Sequence, residues 1–524
     1  MLFMNMLRFI SARHVYVIVH FMTTCYTFHV HEQLTAKQRE FFRSVAQAAF
    51  ANPFSVDRAA ADRLIADSPA GASDAERVQQ MVAVVSAQVA ELERGQKADI
   101  RLYGAQDREI LLTALLFEAF HRFIPALDRL IEDQLRAGPE PAPARFARDL
   151  LGLLAQRGYS SQGSLHFLAV FFQLRRAYYF IARGLAGHAP CLRAFRERLW
   201  QNVFTRDIRW YERYLSDRME DFSTLLLGET GTGKGAAAAA IGRSGYIPFD
   251  ERRGAFAESF TRNFIALNLS QYPEALIESE LFGHRKGAFT GAIDHHEGVF
   301  ARCSPHGAIF LDEIGDVPVP LQIKLLQVLQ DRTFTPVGSH EAQRFSGRVI
   351  AATNRPLDQL RRDGRFRDDF YYRLCSDVIE APTLRQRAQE DPAELTVLLR
   401  QIVTRVTGDD APELADDVRQ RIEACVGPRY RWPGNVRELE QAARRVLLTG
   451  RYDPADGTTA GAGVNPVASA LEAGQLDAEG LLAAYCRHLH DRHGTYEEVA
   501  RRTRLDRRTV KKYILRAGAR DTGA

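Results

Sequence analysis

The chain has no C-x-x-C pair: its six cysteines (Cys25, Cys191, Cys303, Cys375, Cys425 and Cys486) stand far apart. That excludes a disulfide-dense secreted scaffold and a cysteine-based structural zinc module, and it fits a reducing compartment. No uninterrupted apolar run reaches the roughly 20 residues that span a bilayer, which argues against a polytopic membrane protein. Methionine is scarce and unevenly placed, with Met1, Met4, Met6 and Met22 making up four of six. Net charge is small, +4 over 524 residues, so the chain as a whole is no polycation. What remains is globular composition, 46% hydrophobic and 26% charged, at a length for which about three to four domains are the prior.

The charge is local. From Arg487 to Arg516 ten Lys/Arg face four Asp/Glu, a balance of +6, which leaves −2 for the rest of the chain. A polyanion partner is therefore expected at the C-terminal end. At the other end, residues 1–33 read as an atypical extension. Its apolar, aromatic stretch His14–Val30 has Arg8 and Arg13 as positive flanks, as a signal peptide would, but His20 interrupts it and no small-x-small cleavage site follows. A true start at Met22 is the plainer reading, and a cytoplasmic protein is expected.

Residues 34–218 read as a helical regulatory region. Thr35, Ser55 and Asp74 signal helix starts, and apolar residues recur at three- and four-residue spacing through Asp107–Leu135, where Pro125 is expected to kink or divide the helix. The run GPEPAP at 138–143 reads as a turn or linker. Phe167, Phe171, Phe172, Tyr178, Tyr179 and Phe180 could line a ligand pocket, but their spacing favours core packing. After Asp221 short apolar runs alternate with helices, with strand candidates at Thr224–Leu227, Phe264–Leu269, Ala308–Leu311, Arg348–Ala352 and Asp377–Ile379. That grammar specifies an α/β domain (219–380) with a parallel sheet buried on both faces. Helical patterning over 381–449 follows, then a Gly/Thr/Ala/Pro-rich linker, 450–475.

The first strand runs into Gly228-Glu229-Thr230-Gly231-Thr232-Gly233-Lys234-Gly235 and then five alanines. Glycines let the backbone turn its N–H groups onto a phosphate, and the following helix points its positive end at the same anion. Lys234 is placed to reach the β- and γ-phosphates of ATP, although Gly235 stands where the general P-loop pattern has a hydroxyl for Mg2+. A second strand delivers Asp312 and Glu313, economically assigned to the metal and to the attacking water; two acids opening a surface loop are the alternative. A third ends in Thr353 and Asn354, polar groups on the same sheet edge.

Between these lies LFGHRKGAFTGA (281–292), whose hexapeptide Gly287-Ala288-Phe289-Thr290-Gly291-Ala292 has two glycines around one aromatic and one hydroxyl residue, a composition for a mobile loop with an adhesive tip. Together with the P-loop and the Asp-Glu strand, this string resembles the sigma-54-dependent transcription activators (bacterial enhancer-binding proteins), which are AAA+ ATPases, over about Phe222–Leu448. The resemblance implies a multidomain protein with an AAA+ α/β domain and helical lid. It further implies that the loop contacts sigma-54 of the RNA polymerase through Phe289 and Thr290. Asn268 corresponds to the asparagine that restrains the catalytic glutamate. Arg367 and Arg373 in FRDDFYYRL correspond to arginines that complete a neighbouring subunit's site, and Arg437 in WPGNVREL to a nucleotide sensor. A homo-oligomeric ring, usually a hexamer, follows from the same likeness. Two departures stand out: Gly235 replaces the acidic residue usual in the family, and the segment 242–263 is longer than typical.

The tail, 476–524, splits into three short helices, the last capped by Asp506. Val499, Ala500, Leu505, Val510, Tyr513 and Ile514 form its apolar side, with Arg507, Arg508, Lys511 and Lys512 largely off it and Thr509 between. This is helix-turn-helix spacing, similar to the family's Fis-type module, and implies a partner in double-stranded DNA.

Overall fold

The computed structural model describes residues 31–66, 73–216, 218–427, 430–452 and 477–520. The expected extension 1–33 and linker 450–475 fall, but for residues 31–33 and 450–452, outside these. The five apolar runs become five parallel strands: β1 Thr224–Leu227, β2 Phe264–Asn268, β3 Ala308–Asp312, β4 Arg348–Thr353 and β5 Asp377–Glu380. They pair in the order β5-β1-β4-β3-β2. Leu227 stands beside Thr353 and Glu380, and Asn268 beside Asp312, so the polar strand ends share one edge.

Because successive side chains alternate in direction, the inner strands β1, β4 and β3 feed two cores. On one face Leu225, Ile309, Leu311 and Val349 pack with Leu281, Leu325 and Phe370. On the other, Leu226, Phe310, Ile350 and Ala352 pack with Ala237, Ala238 and Ile241 of the helix Lys234–Gly242. The small residues of that helix bring it close to the sheet. A Cβ on Gly242 would meet the Phe264 ring at 2.3 Å. The following helices Leu384–Glu390, Glu394–Thr407, Pro412–Val426 and Asn435–Thr449 have their own core around Leu399, Val403, Ile422, Trp432 and Leu439. The C-terminal helices Ala478–His493, Tyr496–Thr503 and Arg507–Arg520 pack around Cys486, Val499 and Val510.

The boundary expected at residue 218 is displaced. Residues from Ala169 onward, with Asn52–Ser55 and Leu127–Ala144, group with the α/β domain, while the remaining described residues up to Leu168 form a separate helical unit. Ala177, Ile181, Leu192, Phe195 and Leu199 join the sheet core. An apolar stripe announces that a helix packs, not what it packs against, which is why the patterning concealed this division. Pro125 lies inside a continuous helix, Ala105–Ala137, and does not divide it. By length and hydropathy this helix matches a membrane span, yet its Glu118 is buried 2.6 Å from Arg157, the packing of a core helix. Ser73 rather than Asp74 caps the helix Asp74–Arg94.

Two stretches that looked unrelated prove to brace each other. The long segment 242–263 carries a small hairpin, Phe249–Asp250 with Ala255–Phe256, and Pro143 of the GPEPAP run bridges to Ala255. Ser259 Oγ donates to the Gly138 carbonyl (2.7 Å). Phe256 stacks on Phe172 at 4.1 Å, and Phe260 meets Phe180 edge-on at 5.4 Å. The aromatic cluster is thus largely packing: Phe171 is buried, Tyr178 stacks on Phe54, Tyr179 lies under Arg183, and Phe167 meets Tyr159.

Candidate nucleotide site and apolar loop

Gly228, Gly231 and Gly233 all take positive φ (147°, 81° and 97°), the left-handed backbone that side chains resist. At Gly231 a Cβ would also meet the Gly434 carbonyl at 2.1 Å, so the loop can touch the start of the helix Asn435–Thr449 only because this residue is glycine. Lys234 is buried, and its Nζ donates to the carbonyls of Gly228 (2.8 Å) and Glu229 (3.0 Å). Burial lowers its pKa, while the charges of Glu313 and Asp312 act the other way and Arg437 adds to the lowering. The lysine thus sits among the expected carboxylates and the expected sensor arginine.

Asp312 ends β3 and accepts from the Glu313 N–H (3.1 Å). Glu313 has left-handed backbone, φ 58° and ψ 45°, which costs a non-glycine residue about 1–2 kcal/mol and marks a constrained position. Its Oε2 is buried without a hydrogen-bond partner. Burial first, then the charge of Asp312, raises its pKa, against the pull of the Asn354 N–H and Lys234. Two adjacent carboxylates and one orphaned oxygen fit Mg2+, which binds through one or two carboxylates and takes its other ligands from phosphate and water. No cluster of three or more His, Cys, Asp or Glu ligands occurs among the described residues. Gly235 brings no hydroxyl, and the Thr232 hydroxyl is given to the Glu229 carbonyl (2.8 Å).

The other expected residues fall around this edge with different engagements. Asn354 Nδ2 donates to Thr230 Oγ1 (2.9 Å), and buried Thr353 accepts from the Arg355 N–H (3.0 Å). Asn268 Oδ1 is taken by Ser270, from N–H (3.0 Å) and hydroxyl (2.7 Å), and no described hydrogen bond joins Asn268 to Glu313. Arg367 is forked onto Asp369 (3.0 and 2.7 Å), and Arg373 donates twice to the Leu329 carbonyl (2.9 and 2.7 Å). Both arginines are therefore held by their own chain.

Asn435 was not singled out by the sequence reading. It is fully buried at φ 53°, accepts from the Leu384 N–H (2.8 Å) and donates to Glu229 Oε2 (3.1 Å) and the Thr230 carbonyl (3.0 Å). Arg385 grips the same Glu229 with both nitrogens (2.8 and 2.6 Å) and holds its carboxyl below the usual range. The signal was present in WPGNVREL: asparagine is the side chain that tolerates left-handed backbone and satisfies both a donor and an acceptor.

The hexapeptide forms a turn of its own. Gly287 and Gly291 take φ of 80° and 106°, and the Gly287 N–H donates to the Ala292 carbonyl (2.8 Å). Its root is fixed: His284 and His296 exchange backbone bonds (3.0 Å each), and the Arg285 N–H donates to Val337 (3.0 Å). A Cβ on Gly338 would meet Ala288 at 2.7 Å. Phe289 remains 38% exposed and Ile293, just past the loop, 75%, an apolar tip on a braced stem. Thr290 is exposed beside Phe289.

In the C-terminal helices Arg507, Arg508, Lys511 and Lys512 are exposed while Val510 and Ile514 are buried. Asp506 caps the last helix through the N–H groups of Arg508 (2.9 Å) and Thr509 (3.0 Å), and the Thr509 hydroxyl is also bonded to it. Arg507 pairs with Glu497 (2.9 Å).

Residues 208–380 match the family described as the sigma-54 interaction domain. The DNA-binding transcriptional regulator NtrC of Azospirillum brasilense is 40% identical over 276 residues, 52% of each chain. The transcriptional regulatory protein GlrR of Escherichia coli K12 is 37% identical over 294 residues, 55% of this chain and 61% of that one. The Nif-specific regulatory protein of Azotobacter vinelandii is 38% identical over 264 residues, 50% of this chain and 44% of that one. Over residues 208–380 the chain is thus similar to a sigma-54 interaction domain, and its matches to these regulators extend over about half of its length. It spans about half the length of the curated relatives it matches. Among solved structures, NtrX from Brucella abortus aligns over 71% of this chain and 80% of that one, at 18% identity and a TM-score of 0.38, too low to carry an argument.

Proposed function

We propose that this chain hydrolyses ATP as a homo-oligomeric ring, a hexamer, and uses the loop Gly287–Ala292 to remodel the closed complex of sigma-54 RNA polymerase. The observation that carries the reading is the convergence on one sheet edge of a glycine loop, a buried lysine and a carboxylate pair with an orphaned oxygen. The braced, exposed Phe289 belongs to the same domain.

In this reading Lys234 exchanges the carbonyls of Gly228 and Glu229 for the β- and γ-phosphate oxygens. Glu313 polarises the attacking water, Asp312 holds Mg2+, and the metal supplies charge neutralisation at the phosphates when bound. Asn354 and Thr353 are the polar groups assigned to sensing the γ-phosphate. Arg367 and Arg373 leave Asp369 and the Leu329 carbonyl to meet the phosphoryl group of the neighbouring protomer, which makes turnover depend on assembly. Asn268 exchanges Ser270 for Glu313 as the nucleotide state changes. Arg437 reports that state to the lid. Arg507, Arg508, Lys511 and Lys512, on a helix-turn-helix, bind duplex DNA upstream of the promoter, and Thr509 adds a polar contact there.

Trapping with a transition-state mimic tests the coupling. With ADP and aluminium fluoride the wild type is expected to bind isolated sigma-54, whereas Thr290→Ala is expected to lose that binding by at least about tenfold. Its ATP turnover should stay within about twofold of wild type. A Thr290→Ala protein that still traps sigma-54 contradicts the role given to the loop.

A further inference from the structure

Between the helices Ser161–Gly184 and Pro190–Phe204 the chain crosses as a short strap, Leu185–Ala189. The strap lies against the phosphate loop: a Cβ on Gly233 would stand 3.3 Å from Leu185 Cδ2. Charged side chains occupy its backbone. Arg196 donates to the carbonyls of Leu185 and Gly187 (2.9 Å for the latter), and Arg387 to that of Ala186 (2.5 Å). Glu394 Oε2 accepts from the N–H groups of His188 (2.8 Å) and Ala189 (3.3 Å). Arg387 and Glu394 both belong to the lid, lie 2.6 Å apart (Nε to Oε1) and are buried, at 3% and 0% exposure.

A buried ion pair is costly to desolvate and is poor evidence of stabilisation in itself. This one spends its remaining donors and acceptors on the strap, and the strap is shaped to admit it. Gly187 has φ 128°, and a Cβ there would meet Glu394 Oε1 at 2.0 Å. We infer that Glu394, oriented by Arg387, is a positioning residue that locks the lid to the strap and so holds the phosphate loop in its nucleotide-binding shape. The kinetic consequence rests on the ATPase reading above; the structural one does not. Glu313, Arg367 and Arg373 lie outside this contact, so affinity should suffer and the chemical step should not.

The test uses the full chain carrying Glu394→Gln or Gly187→Ala. Both are expected to raise KM for ATP about tenfold with kcat within about twofold, to weaken ADP binding by a similar factor, and to speed amide exchange at His188 and Ala189 at least about tenfold. Glu394→Gln leaves a buried arginine unpaired, so an Arg387→Met/Glu394→Gln double variant separates positioning from folding. It should recover thermal stability and keep the raised KM. Unchanged exchange, faster exchange with unaltered KM and ADP affinity, or a fall in kcat alone would each overturn the inference. A wild type that binds ADP but turns over no ATP would sink the ATPase reading instead, and ADP affinity with amide exchange would still decide the role of Glu394.

Discussion

Lys234→Ala is expected to weaken ATP binding about 100-fold, measured by titration with a fluorescent nucleotide. Among the described residues the ammonium is the one buried cation bonded directly to the loop backbone, 2.8 and 3.0 Å from two of its carbonyls. Its loss removes charge-assisted contacts to two phosphates, about 3 kcal/mol together, or a factor of about 100 in Kd. Because burial already lowers the lysine pKa in the free protein, an arriving polyphosphate should raise it, so nucleotide binding takes up a proton at high pH. Affinity should therefore fall on the alkaline side first. Unchanged affinity in the alanine variant would mean that the glycine loop is a structural turn.

Glu313→Gln should bind ATP as wild type does and lose turnover by about 100- to 1,000-fold, the scale of removing a positioned base. Its environment gives the pH dependence a sign. Burial and the Asp312 charge raise the Glu313 pKa, so the ionised, water-polarising form is lost on acidification while ordinary glutamates are still charged. Turnover in the wild type should decline from that side. The stability term has the opposite sense. A carboxyl whose folded pKa is raised weakens the fold as pH climbs past its unfolded pKa, with the loss complete above its folded one. At neutral pH, Glu313→Gln should therefore melt at a higher temperature than wild type, a difference that disappears in acid. A variant that is both inactive and less stable would show Glu313 to be a structural residue.

The sheet was legible because buried strands must be short, apolar and bounded by polar motifs. All five runs became strands, and each expected polar residue at a strand end lies on the same edge. The turns of the glycine loop and of the hexapeptide were legible for a related reason, since glycine at fixed spacing encodes backbone shapes that few other residues adopt. What escaped reading was long-range partnership. Nothing local in TLRQR or WPGNVREL says that Arg385 and Asn435 converge on Glu229, some 150 to 200 residues earlier. Likewise GPEPAP and the 242–263 excursion each looked like surface punctuation until Pro143 met Ala255 and Ser259 met Gly138. The helices from Ala169 to Phe204 had the right period and the wrong address.

In the proposed function, nucleotide cleavage is converted into loop movement at a promoter. Open-complex formation by sigma-54 RNA polymerase on a double-stranded promoter template, with wild-type protein and either ATP or a non-hydrolysable analogue, addresses it most directly. The expected result is open complex with ATP and none with the analogue, although both nucleotides bind. Equal opening with the two nucleotides, or none with ATP from an assembled and hydrolysing ring, would contradict it.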